Sequence, residues 1–166
     1  MRLRRLLPWA VLLTAAAVLL IPRGVSSPST EPAFVTRVVD GDTVEVALDR
    51  RREKVRLIGI DTPESVKPGT PVQCFAKAAS AETQRLLAGH RVRLRFDAER
   101  RDRYGRLLAY VYRDRDGLFV NAALVERGYA RTLTIPPNVD HAAQFARLAR
   151  AARRHHRGLW RACGPA

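Results

Sequence analysis

Three carboxylates follow apolar, strand-like runs and are the side chains of this sequence best placed to do chemistry. Asp42 lies in VVDGDTVEV, residues 38–46, while Asp61 and Glu64 lie in VRLIGIDTPES, residues 55–65. Oxygen ligands of this kind suit a hard cation such as Ca²⁺. Because Pro63 cannot donate a backbone hydrogen bond, the second strand must end there and expose its carboxylates. The pattern indicates a cation site, although each stretch by itself also fits an ordinary turn.

Two arginines add a second chemical group to these carboxylates. Arg56 precedes Asp61 by five residues in the same run, and Arg106 closes DRYGR, residues 102–106. A guanidinium presents a planar fork of donors that matches phosphate oxygens. A cation, two such forks and a carboxylate are the groups that phosphodiester hydrolysis needs. Since lysine and arginine together number 30, two arginines alone are weak support for a phosphate site.

The elements that must position these residues form a small α+β pattern. A five-stranded OB-fold β-barrel with three α-helices fits their order, and another small α+β barrel fits the same periodicity. Strict alternation in residues 91–96 places Arg91, Arg93 and Arg95 on one strand face, where they either follow a nucleic-acid backbone or face solvent. The predicted strands are 34–39, 43–48, 54–60, 91–96 and 107–112, and the predicted helices are 75–87, 121–127 and 140–157.

Charge and the N-terminal segment indicate an exported polyanion binder. The chain carries a formal net charge of +14. Residues 1–26 combine an arginine-rich start with the apolar run 6–21, which predicts a cleaved secretory signal or a retained membrane anchor. Without these residues, which hold four arginines and no acidic residue, the net charge is still +10. Such a field attracts nucleic acid, and it would equally attract anionic lipid or cell-wall polymer. Residues 27–32 are predicted to form a polar spacer before a domain at 33–163.

The two cysteines predict a disulfide. Cys74 and Cys163 are the only cysteines, and neither belongs to a C-x-x-C pair. An even pair in an exported chain forms a bridge more often than a metal site. We therefore expect a bond between the C-terminal tail and the start of the first long helix.

Five ordered segments resemble the staphylococcal nuclease (thermonuclease) family: VVDGDTVEV, VRLIGIDTPES, DRYGRLLAYVY, VNAALVERGYA and HHRGLW. The resemblance covers essentially residues 33–160. It implies the OB-fold and a Ca²⁺-dependent endonuclease that cuts DNA and RNA with low sequence specificity, leaving 3′-phosphorylated products.

The same resemblance assigns a cation site. Asp42 and Asp61 look like the carboxylate ligands of Ca²⁺, and the backbone carbonyl of Thr62 looks like a third protein ligand. Asp40 resembles the neighbouring carboxylate that shapes this site through water.

It also assigns the reacting groups. Glu64 resembles the general base that acts on the attacking water. Arg56 and Arg106 resemble the two arginines that bind the phosphate and stabilise its five-coordinate transition state, with Arg106 near the leaving 5′ oxygen. Tyr104 matches a family position near the nucleotide.

One part of the family pattern is missing. The stretch Leu133-Thr134-Ile135-Pro136 corresponds to a segment in which the type member has two nucleotide-contacting tyrosines. Base stacking contributes roughly 1–3 kcal/mol per base, so the affinity for nucleotides is expected to differ. Residues 65–73 correspond to the family's mobile loop, with Glu64 at its root.

We therefore expect an exported, Ca²⁺-dependent nuclease that acts as a monomer on DNA and RNA without an obligate protein partner. Membrane association would require retention of the N-terminal segment. The competing classes are a basic nucleic-acid-binding OB module without catalysis and a binder of cell wall or lipid. The presence of all the catalytic side chains favours the enzyme.

Overall fold

The computed structural model describes residues 29–65, 69 and 71–164. The predicted leader, residues 1–26, lies outside this range. In the described part of the chain no helix is both long and apolar enough to cross a membrane. The elements in chain order are β1 (Thr30–Asp40), β2 (Thr43–Leu48), β3 (Arg51–Leu57), β4 (Gly59–Asp61), α1 (Ala76–Leu87), β5 (Arg91–Arg101), β6 (Leu107–Arg113), α2 (Val120–Glu126), β7 (Arg131–Leu133), α3 (Ala142–Arg154) and α4 (Leu159–Ala162).

Five of these strands close into a barrel in the order β1-β2-β3-β6-β5. The β3–β6 pair is parallel and the other pairs are antiparallel, which gives a closed mixed barrel with helices packed outside it. The predicted α+β, OB-fold class is confirmed. The three predicted helices are present, and the structure adds a fourth, α4. This helix is a single turn and is too short to show a periodic pattern in the sequence.

The alternating strand β5 shows how the barrel core forms. The apolar side chains of residues 91–96 are buried, as predicted, and the three arginines of that stretch lie on the opposite face. Arg93 pairs with Asp114 at 3.3 Å, and Arg95 pairs with Asp140 at 2.9 Å. Two of the three arginines on this face are therefore neutralised by the protein's own carboxylates, which favours the solvated-face interpretation.

The run predicted as one strand over residues 54–60 is broken in the structure. Strand β3 ends at Leu57, and Gly59 has a φ of +79°, a conformation that side chains rarely adopt. A Cβ on Gly59 would also overlap the ring of Phe145. At the break, Asn121 donates from Nδ2 to the carbonyl of Ile58 at 2.9 Å and accepts a bond from the backbone N–H of β6. These contacts satisfy backbone groups that the barrel ladder no longer pairs.

The break sends β4 out of the barrel and toward a strand that sequence analysis missed. Strand β4 pairs antiparallel with β7, with Asp61 opposite Arg131. Both strands have three residues, too few for alternation to be recognised. Asp61 consequently lies in a second, two-stranded sheet beside the barrel mouth.

Several predicted boundaries also change, and β5 extends to Arg101, five residues beyond its predicted end at 96. Strand β1 begins at Thr30, so residues 30–32 pair with β5 instead of forming the predicted spacer. The last long helix runs from Ala142 to Arg154 and is shorter than the predicted 140–157.

The predicted disulfide between Cys74 and Cys163 is present, with Cα atoms 5.9 Å apart and 89 residues of sequence separation. It joins the segment before α1 to the residue after α4. Replacing both cysteines with alanine should lower the free energy of unfolding by about 4 kcal/mol, because the bridge restricts a long loop in the unfolded chain. Urea unfolding followed by circular dichroism measures this. Reduced wild type serves as the control and should match the double variant, whereas an unchanged midpoint in both would contradict the prediction.

Candidate active site

The ends of β1, β3 and β4 enclose a cavity of about 320 Å³ at the mouth of the barrel. The β1–β2 turn brings Asp40 and Asp42 to it, and the β4 exit brings Asp61 and the residues that follow. Seven predicted site residues line this one cavity: Asp40, Asp42, Arg56, Asp61, Thr62, Glu64 and Arg106. Lys54 of β3 also lines it and was not selected from the sequence, because nothing in its spacing separates it from the other basic residues.

Asp42 is buried and held by hydrogen bonds on both carboxylate oxygens. Its Oδ2 accepts from the backbone N–H of Thr62 at 2.9 Å and from the Thr62 hydroxyl at 3.0 Å. Its Oδ1 accepts from the Thr43 hydroxyl at 3.1 Å. The turn comes so close to Thr62 that a Cβ on Gly41 would lie 2.6 Å from Thr62 Oγ1, which requires glycine at that position. Residues 20 apart in sequence are thus fixed against each other.

Arg56 connects the two predicted cation ligands. Its Nη1 lies 2.7 Å from Asp42 Oδ2, and its Nη2 lies 3.1 Å from Asp61 Oδ1. Burial raises the pKa of the Asp42 carboxyl above its ordinary value, although Arg56 and the hydrogen bonds from Thr62 partly oppose the shift. The buried carboxylate is therefore not fully compensated by the protein. A cation beside it would favour its charged form.

The donor set fits a hard cation such as Ca²⁺. Asp42 supplies a buried carboxylate, and Asp61 supplies one whose side chain is 53% exposed. Among the described residues no group of three His, Cys, Asp or Glu side chains is placed to hold a metal. A cation here would need backbone carbonyl and water oxygens as well, which Ca²⁺ commonly accepts in its shell of roughly 6–8 oxygens.

Glu64 is half-buried at the cavity edge, and its backbone is held from across the following loop. Its N–H donates to Oε1 of Gln73 at 2.9 Å, and the N–H of Gln73 donates to the Glu64 carbonyl at 3.0 Å. From the sequence, Gln73 is only the last residue of the loop at 65–73, and nothing there indicates this contact. Residues 66–68 and 70 of that loop lie outside the described residues.

Asp40 holds the root of the loop against α1. Its Oδ1 accepts hydrogen bonds from the Ser65 hydroxyl at 2.6 Å and the Ser80 hydroxyl at 3.0 Å. The same oxygen lies 2.7 Å from the backbone nitrogen of Gly41. Asp40 is thus the centre of a hydrogen-bonded cluster, and neither serine had been singled out from the sequence.

Arg106 is positioned by the turn that precedes β6. Its Nε donates to Asp102 Oδ2 at 2.7 Å, and its backbone N–H donates to Asp102 Oδ1 at 2.9 Å. Burial raises the pKa of Asp102, but these bonds and the charge of Arg106 outweigh it, so the pKa lies below its ordinary value. The ring of Tyr104 is 69% exposed, with its centroid 5.5 Å from Arg106 Cζ.

Comparison with known proteins decides the family. A family model described as staphylococcal nuclease homologue matches residues 54–162. The chain belongs to the staphylococcal nuclease family. It is 45% identical to a thermonuclease of Staphylococcus intermedius over 78% of this chain and 76% of that protein. It is 39% identical to a thermonuclease of Staphylococcus hyicus over 82% and 80%. It is also 37% identical to endonuclease YncB of Bacillus subtilis, covering 77% of this chain and 61% of that protein.

This member of the staphylococcal nuclease family has a second, larger cavity adjoining the first. The larger cavity measures about 470 Å³ and shares Arg56 and Arg106 with the smaller one. Tyr104 lines it together with Leu133 and Ile135, from the stretch that lacks the type member's tyrosines. Aliphatic side chains therefore line the cavity there. A base in this cavity would have to stack on Tyr104 or pack against aliphatic groups.

Proposed function

We propose that this chain is a Ca²⁺-dependent nuclease that hydrolyses phosphodiester bonds of DNA and RNA with low sequence specificity and leaves 3′-phosphates. One observation carries the proposal. The two candidate cation ligands, Glu64 and two arginines all line a single cavity. The nuclease names of the relatives support the reaction class.

Asp42, Asp61 and the Thr62 carbonyl would hold the cation in this proposal. When bound, Ca²⁺ would add positive charge that offsets the negative charge developing on the phosphate oxygens. Arg56 keeps donors for the phosphate, since its bonds to Asp42, Asp61 and the carbonyl of Leu57 occupy three of the five N–H groups of the guanidinium. The two aspartates hold this guanidinium in place before substrate arrives.

Glu64 and Arg106 would act directly on the reacting groups. The Glu64 carboxylate accepts the proton of the attacking water, while its backbone is held in position by Gln73. Arg106 donates to phosphate oxygens as their charge increases and stabilises the leaving 5′ oxygen. The pairing with Asp102 fixes the direction in which its fork points before substrate binds.

We also propose that the domain is exported and acts as a monomer on its nucleic-acid substrates. A disulfide persists mainly in oxidising compartments, which supports export. The strongly basic composition speeds the encounter with polyanions.

Digestion of plasmid and denatured DNA and of RNA by residues 29–166 tests the proposal. We expect cleavage of all three substrates with Ca²⁺ and none with chelator. Asp42→Asn should raise the Ca²⁺ concentration needed for half-maximal activity by more than about tenfold, because it removes a charged ligand that is already buried. Bands that shift but stay uncut in Ca²⁺ would favour the binding module without catalysis. An unchanged Ca²⁺ titration would remove Asp42 from the cation site.

A further inference from the structure

A third cavity, about 370 Å³ in volume, lies where β7, α3 and α4 meet. Arg131 of β7 lines one side, and Arg150 and Arg153 of α3 line another. The two α3 arginines are three residues apart and so project from the same helix face. Trp160 of α4 and the small side chain of Ala149 are among the other lining residues. The cavity is therefore cationic, with an aromatic and aliphatic base.

The charges of these three arginines are not balanced within the described chain. None of the three has a carboxylate within ion-pair distance or a side-chain hydrogen-bond acceptor among residues 29–65, 69 and 71–164. Several other surface arginines do have a carboxylate partner, for example Arg95 with Asp140 and Arg101 with Glu53. Three like charges around one cavity repel each other, and an anion placed among them would replace that repulsion with attraction.

Trp160 positions two of the guanidiniums. The Cζ of Arg153 lies 4.4 Å from the indole ring, and the Cζ of Arg131 lies 5.6 Å from it, both within cation–π range. The indole Nε1 is buried and has no hydrogen-bond acceptor in the described residues, so packing and these cation contacts position the ring. Contact with the ring leaves the guanidinium N–H groups available to an oxygen ligand.

The cavity lies next to the candidate active site along one pair of strands. Arg131 is directly opposite Asp61 in the β4–β7 ladder. Side chains of directly opposed antiparallel residues project to the same face, with Cβ atoms about 4.5–5.5 Å apart. Arg131 therefore joins the candidate cation ligand Asp61 to the cavity that the two α3 arginines line.

We propose that this arginine cluster, defined as Arg131, Arg150 and Arg153, binds a backbone phosphate of the polynucleotide substrate on one side of the scissile phosphate. The proposal rests on the nuclease function proposed above. It makes the cluster a subsite that favours long substrates over short ones. It also gives Arg131 and Arg153 a role beyond their contacts with Trp160.

Steady-state kinetics on two substrates test the subsite. The double variant Arg150→Gln with Arg153→Gln keeps good helix formers in α3 and removes two charges. On a single-stranded 12-mer its KM should rise about tenfold. The plot of log affinity against log salt has a negative slope, and this slope should become less steep by about 0.7 for each phosphate that the variant no longer neutralises. A dinucleotide has one phosphodiester and cannot reach both sites, so its kcat/KM should not change. Arg150→Lys with Arg153→Lys should keep most of the affinity for the 12-mer.

The matched control removes the same charge elsewhere. Arg51→Gln with Arg52→Gln changes two exposed arginines at the far end of β3. They precede Arg56 by five and four residues, which is about 13–17 Å along the strand at roughly 3.3 Å per residue. This variant should leave the KM for the 12-mer within about twofold of wild type.

Three results would overturn the subsite: an equal effect on the 12-mer and the dinucleotide, an unchanged salt slope, or an equal effect in the control variant. If wild type hydrolyses neither substrate, the proposed nuclease function fails. The subsite is then judged by fluorescence anisotropy of the labelled 12-mer, where an unchanged Kd in the double variant rejects it. If the double variant does not fold, Arg150→Gln alone is used, since Arg150 makes no cation–π contact with Trp160. Its KM for the 12-mer should rise about threefold, and an unchanged KM rejects the subsite.

Discussion

Glu64→Gln should abolish most hydrolysis while leaving the fold intact. Glutamine has nearly the same size but cannot accept the proton of the attacking water, and loss of a general base costs about 10² to 10⁴ in rate. The backbone hydrogen bonds between Glu64 and Gln73 do not involve the carboxylate and should persist. Initial rates on a 12-mer at saturating Ca²⁺ measure the loss of hydrolysis, and circular dichroism checks that the fold is kept.

The matched control for this substitution is Glu99→Gln. Glu99 lines the adjoining cavity, but its contacts with Asn138 are made through its backbone N–H and carbonyl. The same chemical change there should leave the rate within about twofold of wild type. Full turnover by Glu64→Gln would refute its assignment as the base. Equal losses in both variants would point to a general charge effect in the cavities.

Arg106→Ala should lower kcat by about 10² to 10³, because it removes donors that act on charge developing in the transition state. Arg106→Lys should recover only part of this loss, since lysine keeps the charge but not the planar fork. The pair with Asp102 is partly exposed, so the free energy of unfolding should fall by only about 0–1 kcal/mol. Single-turnover rates and urea unfolding measure the two quantities separately.

A charge-matched control for Arg106 is Arg115→Ala, in the turn between β6 and α2. Arg115 is exposed, and its contact with Asp116 is long, at 3.7 Å. We expect wild-type rates from this variant. Loss of stability by several kcal/mol in Arg106→Ala, with the rate recovered at low temperature, would reject a role in transition-state stabilisation and indicate a structural one.

The two cavities at the barrel mouth divide the candidate site residues between them. Arg56 and Arg106 line both cavities. The candidate cation ligands and Glu64 line only the smaller cavity. The larger cavity alone is lined by Tyr104, Leu133 and Ile135. The departure from the type member's tyrosines therefore falls in the larger cavity. If the arginine cluster binds a flanking phosphate, it would compensate for weaker base contacts through the backbone of a longer substrate.

Local patterns in the sequence determined most of the barrel. Strands β2, β3 and β5 are encoded by full or partial alternation, because each buries mainly one face with a period of two. Strand β6 is encoded by a continuous apolar run, because nearly all of its residues are buried. Residue types and their order also indicated Asp42, Asp61, Glu64, Arg56 and Arg106, which the fold brings to one cavity. The disulfide followed from the number of cysteines and the expected compartment.

Only the tertiary structure decided how these residues are held. The exit of β4 depends on Gly59 packing against Phe145 and on β7, a strand of three residues. The backbone of Glu64 is held by Gln73, and the arginine cluster depends on Trp160 reaching β7 and α3. Each of these contacts joins segments that are separate in sequence and leaves no periodic signal in either one. These contacts stabilise the protein only after the barrel has closed, because only then are the two segments of each contact close together.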